Sequence, residues 1–221
     1  MEPYEISLFS GIAPADAAAM LPCLLAETRR YPRGSVIWRA GESTSRIGAV
    51  LEGTVELVRE DYWGNRSLLA RIAPGALFGE VYACLPGRPL GVQVQAAADC
   101  TVLFLDAKKA MTGCGTACPH HTALTRNLIA ALAEKSCYLT RKADLLSRRT
   151  TREKLLAYLS DLAQQQGGRT LTLPLNRQQL ADFLAVDRSA MSAALHAMAR
   201  EGILAIDRRR ITLLQVEEES K

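Results

Sequence analysis

The stretch LADFLAVDRSAMSAALHAMAREGIL, Leu180–Leu204, holds two short segments of helical periodicity separated by an Ala-Val-Asp turn. Asn176 and Gln179 form a capping-box pattern before the first segment, and Asp187 is a typical N-cap residue before the second. Gly202 follows the second segment, where glycine commonly ends a helix. We therefore predict two short helices joined by a three-residue turn. The next residues, GILAIDRRRITLLQV, predict a strand pair.

This order of elements is that of a winged helix-turn-helix, whose second helix enters the major groove of DNA. The predicted base-reading residues are Arg188, Ser189 and Ser192, because arginine bridges guanine O6 and N7 and serine bonds to bases or phosphates. Any one of these features alone is typical of a charged surface. Their fixed spacing around a two-helix turn indicates a surface that binds double-stranded DNA. The predicted phosphate contacts are Arg177, Arg208, Arg209 and Arg210, and Gln178 is a further predicted DNA-binding residue.

Positive charge is concentrated in the same part of the chain. Residues 146–216 carry 11 Lys and Arg against 6 Asp and Glu, whereas residues 1–145 carry 15 against 14. A basic segment of this size is usually a solvated surface, so the charge by itself is weak evidence for a nucleic-acid partner.

The N-terminal half has the pattern of an antiparallel β-roll. Short β-like runs extend from Tyr31 to Asp106, and Val55 and Leu57 alternate with polar residues. We also predict a helical lead-in at Pro14–Leu25 and a hairpin tip at Trp63-Gly64-Asn65. The turns are marked by recurring glycines: Gly34, Gly41, Gly53, Gly64, Gly75 and Gly79.

A long amphipathic helix is predicted after Pro119. It runs for about 28 residues without glycine or proline, or about 40 Å at 1.5 Å per residue. A small roll is too short to cover that length, so we predict that a second copy covers it in a symmetric homodimer. The alternative is a helix packed wholly within its own subunit. The predicted seam is Leu124, Leu128, Leu132, Leu139, Ala143 and Leu146.

Together these patterns predict an α+β fold. An antiparallel β-roll of the double-stranded β-helix or jelly-roll type occupies 1–119, and a dimerisation helix and hinge occupy 120–149. A winged helix-turn-helix occupies 150–221, beginning with a capping box at Thr150 and Glu153. The N-terminus lacks a signal-peptide pattern, and no segment reaches the roughly 20 apolar residues of a membrane span. We expect a cytoplasmic protein without a membrane partner.

These features resemble the Crp/Fnr family of bacterial transcription regulators over essentially the whole chain. The resemblance rests on Gly41-Glu42, Gly53-Thr54-Val55, the block Pro74–Glu80, and the segment from Arg177-Gln178-Gln179-Leu180-Ala181 through Leu195. It implies an effector-controlled homodimer that binds a palindromic site and activates or represses transcription. RNA polymerase is a further candidate partner.

Three residues depart from the family pattern. Family members commonly have glutamate where this chain has Ser189, arginine where it has Ala193, and glycine where it has Ala185. The first two changes remove base-reading groups, so the usual family half-site is not expected. The third places a Cβ in a turn that costs about 1 kcal/mol if its φ is positive.

The resemblance implies a small-molecule effector, but the sequence does not determine its identity. In cyclic-nucleotide members, the pair equivalent to Gly79-Glu80 is followed about ten residues later by Arg-Ser, and those positions here are Leu90 and Gly91. A buried phosphate without its cation is strongly disfavoured, so the sequence argues against cyclic AMP. Arg88 takes the place of the arginine that pairs with the phosphate only if the loop that carries Arg88 shifts. The candidate pocket residues are Gly79, Glu80, Arg88, Leu90 and Tyr138.

A second candidate sensor is CGTACPHH, with Cys114, Cys118 and His121, and with Cys84 and His120 as additions. Thiolates and imidazole hold zinc, haem iron or an iron-sulfur cluster, and two thiols also oxidise to a disulfide. The alternative is ordinary buried thiols and a helix-start histidine.

Two other functions compete with transcription regulation. A Cys-His pair suits nucleophilic catalysis, but the chain has no recognisable orienting residue and no phosphate loop, so we do not predict an enzyme. The other is a dimeric metal, redox or ligand sensor that acts through protein partners without specific DNA binding.

Overall fold

The computed structural model describes residues 1–64, 66–85, 87–112 and 119–214. The chain divides into two compact units, one of residues 1–135 and one that begins at Ser136. The division falls within a single long helix. The domain boundaries expected from the sequence, near residues 119 and 149, stay a prediction.

The first unit contains two four-stranded antiparallel sheets, with strand orders β1-β8-β3-β6 and β2-β7-β4-β5. Its described strands are β1 Glu27–Tyr31, β2 Val36–Trp38, β3 Arg46–Glu52, β4 Val55–Glu60, β5 Arg66–Ile72, β6 Leu77–Phe78, β7 Gln93–Ala96 and β8 Cys100–Asp106. Its described helices are α1 Pro14–Met20, α2 Glu80–Ala83, α3 Ala107–Thr112 and the first part of α4 Pro119–Ser147. The α+β fold with a β-roll is confirmed.

Strand β8 shows why the first sheet is buried on both faces. Leu103 and Leu105 pack with the helices, whereas Val102 and Phe104 point to the other sheet, because successive strand residues alternate. The inter-sheet cluster also contains Val50, Val55, Phe78, Leu90, Val94 and Ala96.

The lead-in helix is shorter than predicted. It ends at Met20, and residues 21–25 form turns that finish with Leu25 at φ 49°. Trp63 and Gly64 lie between the antiparallel strands β4 and β5, as expected for a hairpin tip, and Asn65 lies outside the described residues.

Two seam residues do not face outward. Leu124 and Leu128 are 0% and 2% exposed and belong to the core of the first unit, so they are covered by their own chain. The predicted seam was wrong at these positions because helical period shows which residues share a face but not what covers it. The large apolar side chains that α4 exposes are Ile129, Tyr138, Leu139 and Leu146.

The second unit contains α5 Thr151–Gln166, α6 Arg177–Leu184, α7 Arg188–Arg200 and an antiparallel sheet in the order β10-β11-β9. The strands are β9 Thr170–Thr172, β10 Leu204–Asp207 and β11 Arg210–Leu213. The capping box of α5 is present: Glu153 N donates to Thr150 Oγ1 at 3.1 Å, and Thr150 N donates to Glu153 Oε2 at 3.0 Å. Gly167 ends this helix at φ 66°.

The helices and strands of the second unit bury one hydrophobic core. The core contains Leu155, Leu159, Leu180, Leu184, Met191, Leu195, Met198, Leu204 and Ile211. Across the described ranges of both units, no helix combines the length and apolarity needed to span a membrane.

Candidate DNA-reading surface and effector region

The first helix of the pair begins at the predicted capping box. Gln179 N donates to Asn176 Oδ1, and Asn176 N donates to Gln179 Oε1, both at 2.9 Å. This cap places Arg177 at the first helical position, where it is half-buried and burial lowers the pKa of its guanidinium. Gln178 is exposed and donates to Asp182 Oδ1 at 2.8 Å. Gln178 is thus engaged within its own unit, whereas Nη1 of Arg177 is buried without a hydrogen-bond partner among the described residues.

The turn between α6 and α7 depends on a residue with positive φ. Ala185 has φ 49° and ψ 57°, a left-handed conformation, so the condition under which its Cβ disfavours the turn is met. Its Cβ makes this conformation about 1 kcal/mol less favourable than it is for glycine. Lys154 Nζ donates to the carbonyl of Leu184 at 3.1 Å and so holds the same turn from α5.

Asp187 caps the reading helix α7, as predicted. Its carboxylate accepts hydrogen bonds from the Ser189 hydroxyl, from Ser189 N at 2.8 Å and from Ala190 N at 3.0 Å. These bonds, the Ser189 hydroxyl first among them, hold the pKa of Asp187 below its usual value. The predicted base-reading group Ser189 is therefore also part of the cap.

The outward face of α7 lies opposite its buried residues Met191, Leu195 and Met198. At helical spacing this face carries Ser189, Ala193, His196 and Arg200, all exposed. Arg188 is exposed and Ser192 half-buried at one side of it. The sequence analysis did not include His196 or Arg200, although counting outward from the buried residues identifies both.

The three arginines of the predicted wing lie where β10 turns into β11. Arg208 and Arg209 form the two-residue turn, with Arg208 at φ 53°, and Arg210 pairs with Asp207 across the hairpin. All three are exposed, as phosphate contacts must be.

In the first unit, Glu80 is buried and bonded to a lysine of α4. Glu80 is 2% exposed, and Lys135 Nζ lies 2.6 Å from its Oε1 and donates to the carbonyl of Leu77 at 2.8 Å. The other carboxylate oxygen, Oε2, has no hydrogen-bond partner among the described residues. Lys135 was not predicted from the sequence as a site residue, although it lies on the α4 face of Leu124 and Leu128.

An aromatic cluster packs beside Gly79 in the roll. Gly79 has φ 75°, and a Cβ there would lie 2.4 Å from Cζ3 of Trp38. The Trp38 ring packs at 5.2 Å from Phe78 and 5.5 Å from Phe104. Leu90 is 2% exposed in the same cluster.

The remaining pocket candidates are exposed: Arg88 in the first unit and Tyr138 in the second. The environment of Gly79 is thus apolar, and the nearby carboxylate is paired with Lys135. These residues do not fit the anionic phosphate of a cyclic nucleotide.

A separate depression of about 420 Å³ includes none of the predicted pocket residues. It is lined by Arg33, Gly34, Thr54, Glu56, Arg71, Gln95, Ala96, Ala97 and Ala98.

Of the cysteine and histidine group, Cys114 and Cys118 lie outside the described residues. His121 is 7% exposed in the first turn of α4, and His120 Nε2 is 3.6 Å from Asp16 Oδ2. Cys84 is half-buried, and burial, followed by the Glu80 charge, raises the pKa of its thiol. Within the described ranges, no cluster of three or more His, Cys, Asp or Glu side chains is arranged to hold a metal ion.

Comparison with known proteins agrees with both units. The family model described as "Cyclic nucleotide-binding domain" matches residues 28–114. The family model described as "Crp-like helix-turn-helix domain" matches residues 153–218. The cyclic AMP receptor protein of Thermus thermophilus is 28% identical over 89% of this chain and 87% of its own. The transcriptional activator protein FnrL of Cereibacter sphaeroides is 23% identical over 82% of this chain and 74% of its own.

Among solved structures, the catabolite activator protein of Thermus thermophilus has a TM-score of 0.55 and 26% identity, covering 94% of this chain and 93% of its own. These relatives are transcription regulators rather than enzymes, as predicted. The roll and the helix-turn-helix of this chain coincide with the residues that the two family models match, in the same order. The chain belongs to the Crp/Fnr family of bacterial transcription regulators.

Proposed function

We propose that the protein is an effector-responsive homodimer that binds a palindromic DNA site and regulates transcription in the cytoplasm, with RNA polymerase as a further partner. The observation that carries the proposal is the capped helix α7, whose N-terminal end exposes Arg188 in the same unit as an exposed arginine wing. A helix in this position reads base edges, and the wing contacts phosphates.

The homodimer is supported by the exposed apolar residues of α4. Ile129 and Leu139 are 61% and 62% exposed, and Leu146 is 39% exposed. Large side chains of this kind on one long helix suit an identical helix related by two-fold symmetry. Dimerisation then sets two copies of α7 on half-sites about 34 Å apart.

The effector is proposed to be something other than a cyclic nucleotide. Trp38 and Leu90 fill the region beside Gly79 with apolar groups, and Glu80 is engaged by Lys135. Cys114, Cys118 and His121 are retained as a second candidate sensor. The burial of His121 at the start of α4 favours them, because a ligand there acts directly on the long helix.

The DNA-binding proposal is tested by titrating the purified protein against its own upstream region at several salt concentrations. Arg188→Ala is expected to cost about 1 to 3 kcal/mol on the preferred site and to relax base preference. Arg209→Ala is expected to weaken all sequences alike and to lower the salt slope by about one unit. Arg59→Ala, which removes the same charge from an exposed position on the roll, is the control. Identical behaviour of the first two variants contradicts the assigned roles, and absence of duplex binding favours a sensor that acts through protein partners.

A further inference from the structure

The centre of the outward face of α7 is occupied by a methyl group. Ala193 lies directly opposite the buried side of the helix, between Ser189 one turn before it and His196 one turn after it. Ala193 is exposed, so nothing within its own unit covers its Cβ. A helix that enters the major groove with this face presents the Ala193 methyl group to the bases, between polar side chains.

Ala193 has no side-chain hydrogen-bond donor, and the hydroxyl of Ser189 does not supply one to a base in its place. Its proton is directed to the Asp187 carboxylate, which also binds the two backbone N–H groups of the cap. In this arrangement the oxygen of Ser189 only accepts hydrogen bonds from a base. Arg188 is therefore the single cationic donor in the first turn of the helix.

Only one base presents an apolar group to the major groove. Thymine carries the C5-methyl group, and alanine is one of the side chains that contact it. We infer that Ala193 reads a thymine methyl group, so that each half-site contains a guanine for Arg188 and a thymine for Ala193. This inference rests on the proposed function, because it requires that α7 enters the major groove.

The spacing of the two residues limits the spacing of the two bases. Five residues of α-helix separate Arg188 from Ala193, or about 7.5 Å along the axis, which corresponds to about two base-pair steps of 3.4 Å. The guanine and the thymine are therefore expected within about one to three base pairs of each other.

The first experiment selects duplexes that bind the full chain from a randomised pool. The enriched half-site is expected to contain guanine and thymine at that spacing. The thymine is then replaced by deoxyuridine, which removes only the methyl group. Binding is expected to weaken about fourfold for each half-site, the effect of removing one buried carbon from an apolar contact.

Variants assign the methyl contact to its residue. Ala193→Gly is expected to bind thymine and deoxyuridine duplexes equally. Ala193→Ser keeps the Cβ but makes it polar, so it is expected to reduce the sensitivity to deoxyuridine while retaining better helix propensity than glycine. Arg188→Ala is expected to lose the guanine preference and to keep the sensitivity to deoxyuridine.

The outcomes separate this inference from the function on which it rests. Failure to bind any duplex overturns the proposed function and the inference together. Selective binding to a half-site without thymine, or with equal affinity for deoxyuridine, overturns the inference alone. Deoxyuridine sensitivity that persists in both Ala193 variants shows that another residue contacts the methyl group, which also overturns it.

Discussion

The ammonium group of Lys135 lies 2.6 Å from Oε1 of Glu80 inside the first compact unit. Lys135 is the last residue of that unit, and the helix that carries it continues into the second unit. Two turns later on α4, Lys142 Nζ lies 5.2 Å from the centre of the Phe183 ring. One lysine of α4 thus makes a side-chain contact within each unit.

Lys135→Met is expected to lower the free energy of unfolding by about 3 kcal/mol, because it leaves a buried carboxylate without its cation. This value is at the lower end of the destabilisation expected when a buried ion pair is broken, because the Lys135 side chain is 42% exposed. Urea unfolding monitored by tryptophan fluorescence measures the change. Adding Glu80→Gln is expected to restore part of the loss. Lys109→Met, an exposed lysine of the same unit, is the control. Equal effects of the two lysine variants contradict the prediction.

Cyclic AMP and cyclic GMP are expected to produce no binding heat in calorimetry at micromolar protein concentration. The phosphate loses its water on entering the roll, and Leu90 offers no compensating cation, which costs several kcal/mol. Arg88→Ala is titrated beside the wild type. Micromolar binding that Arg88→Ala abolishes shows that the Arg88 loop supplies the cation after all.

Ile129→Glu together with Leu139→Glu is expected to convert the dimer to a monomer in analytical ultracentrifugation. Both side chains are exposed and apolar on α4, and a carboxylate at each position is repelled by its symmetry mate. Ala130→Glu adds a charge at an exposed position on a different face of the same helix and serves as the control. A wild-type protein that sediments as a monomer, with and without DNA, contradicts the proposed dimer.

Ala185→Gly is expected to raise the free energy of unfolding of the second unit by about 0.5 to 1 kcal/mol. The residue has φ 49°, a conformation that glycine adopts without a Cβ penalty. Ala197→Gly, within α7, is expected to lower the same quantity by about 1 kcal/mol and is the matched control. Chemical unfolding followed by helical circular dichroism measures both. A loss of stability in Ala185→Gly shows that the left-handed turn is not strained.

The sequence by itself determined the features that depend on residues close together in the chain. The caps at Thr150, Asn176 and Asp187 were predicted and are present, because each is formed by groups two to four residues apart. The possible strain at Ala185 was raised by the family resemblance, which places a glycine there, and its positive φ is seen in the structure. The assignment of α6, α7 and the wing follows from these signals, as does the concentration of arginine around them.

The tertiary structure alone decided which side chains meet across the fold. Glu80 and Lys135 are 55 residues apart, and nothing in their local pattern indicates that one covers the other. The same holds for Trp38 beside Gly79 and for the burial of Leu124 in its own core. Helical and strand periods specify which residues share a face. The element that packs against that face is set by how distant segments assemble, and this determines whether a leucine joins the core and whether a carboxylate remains available for a ligand.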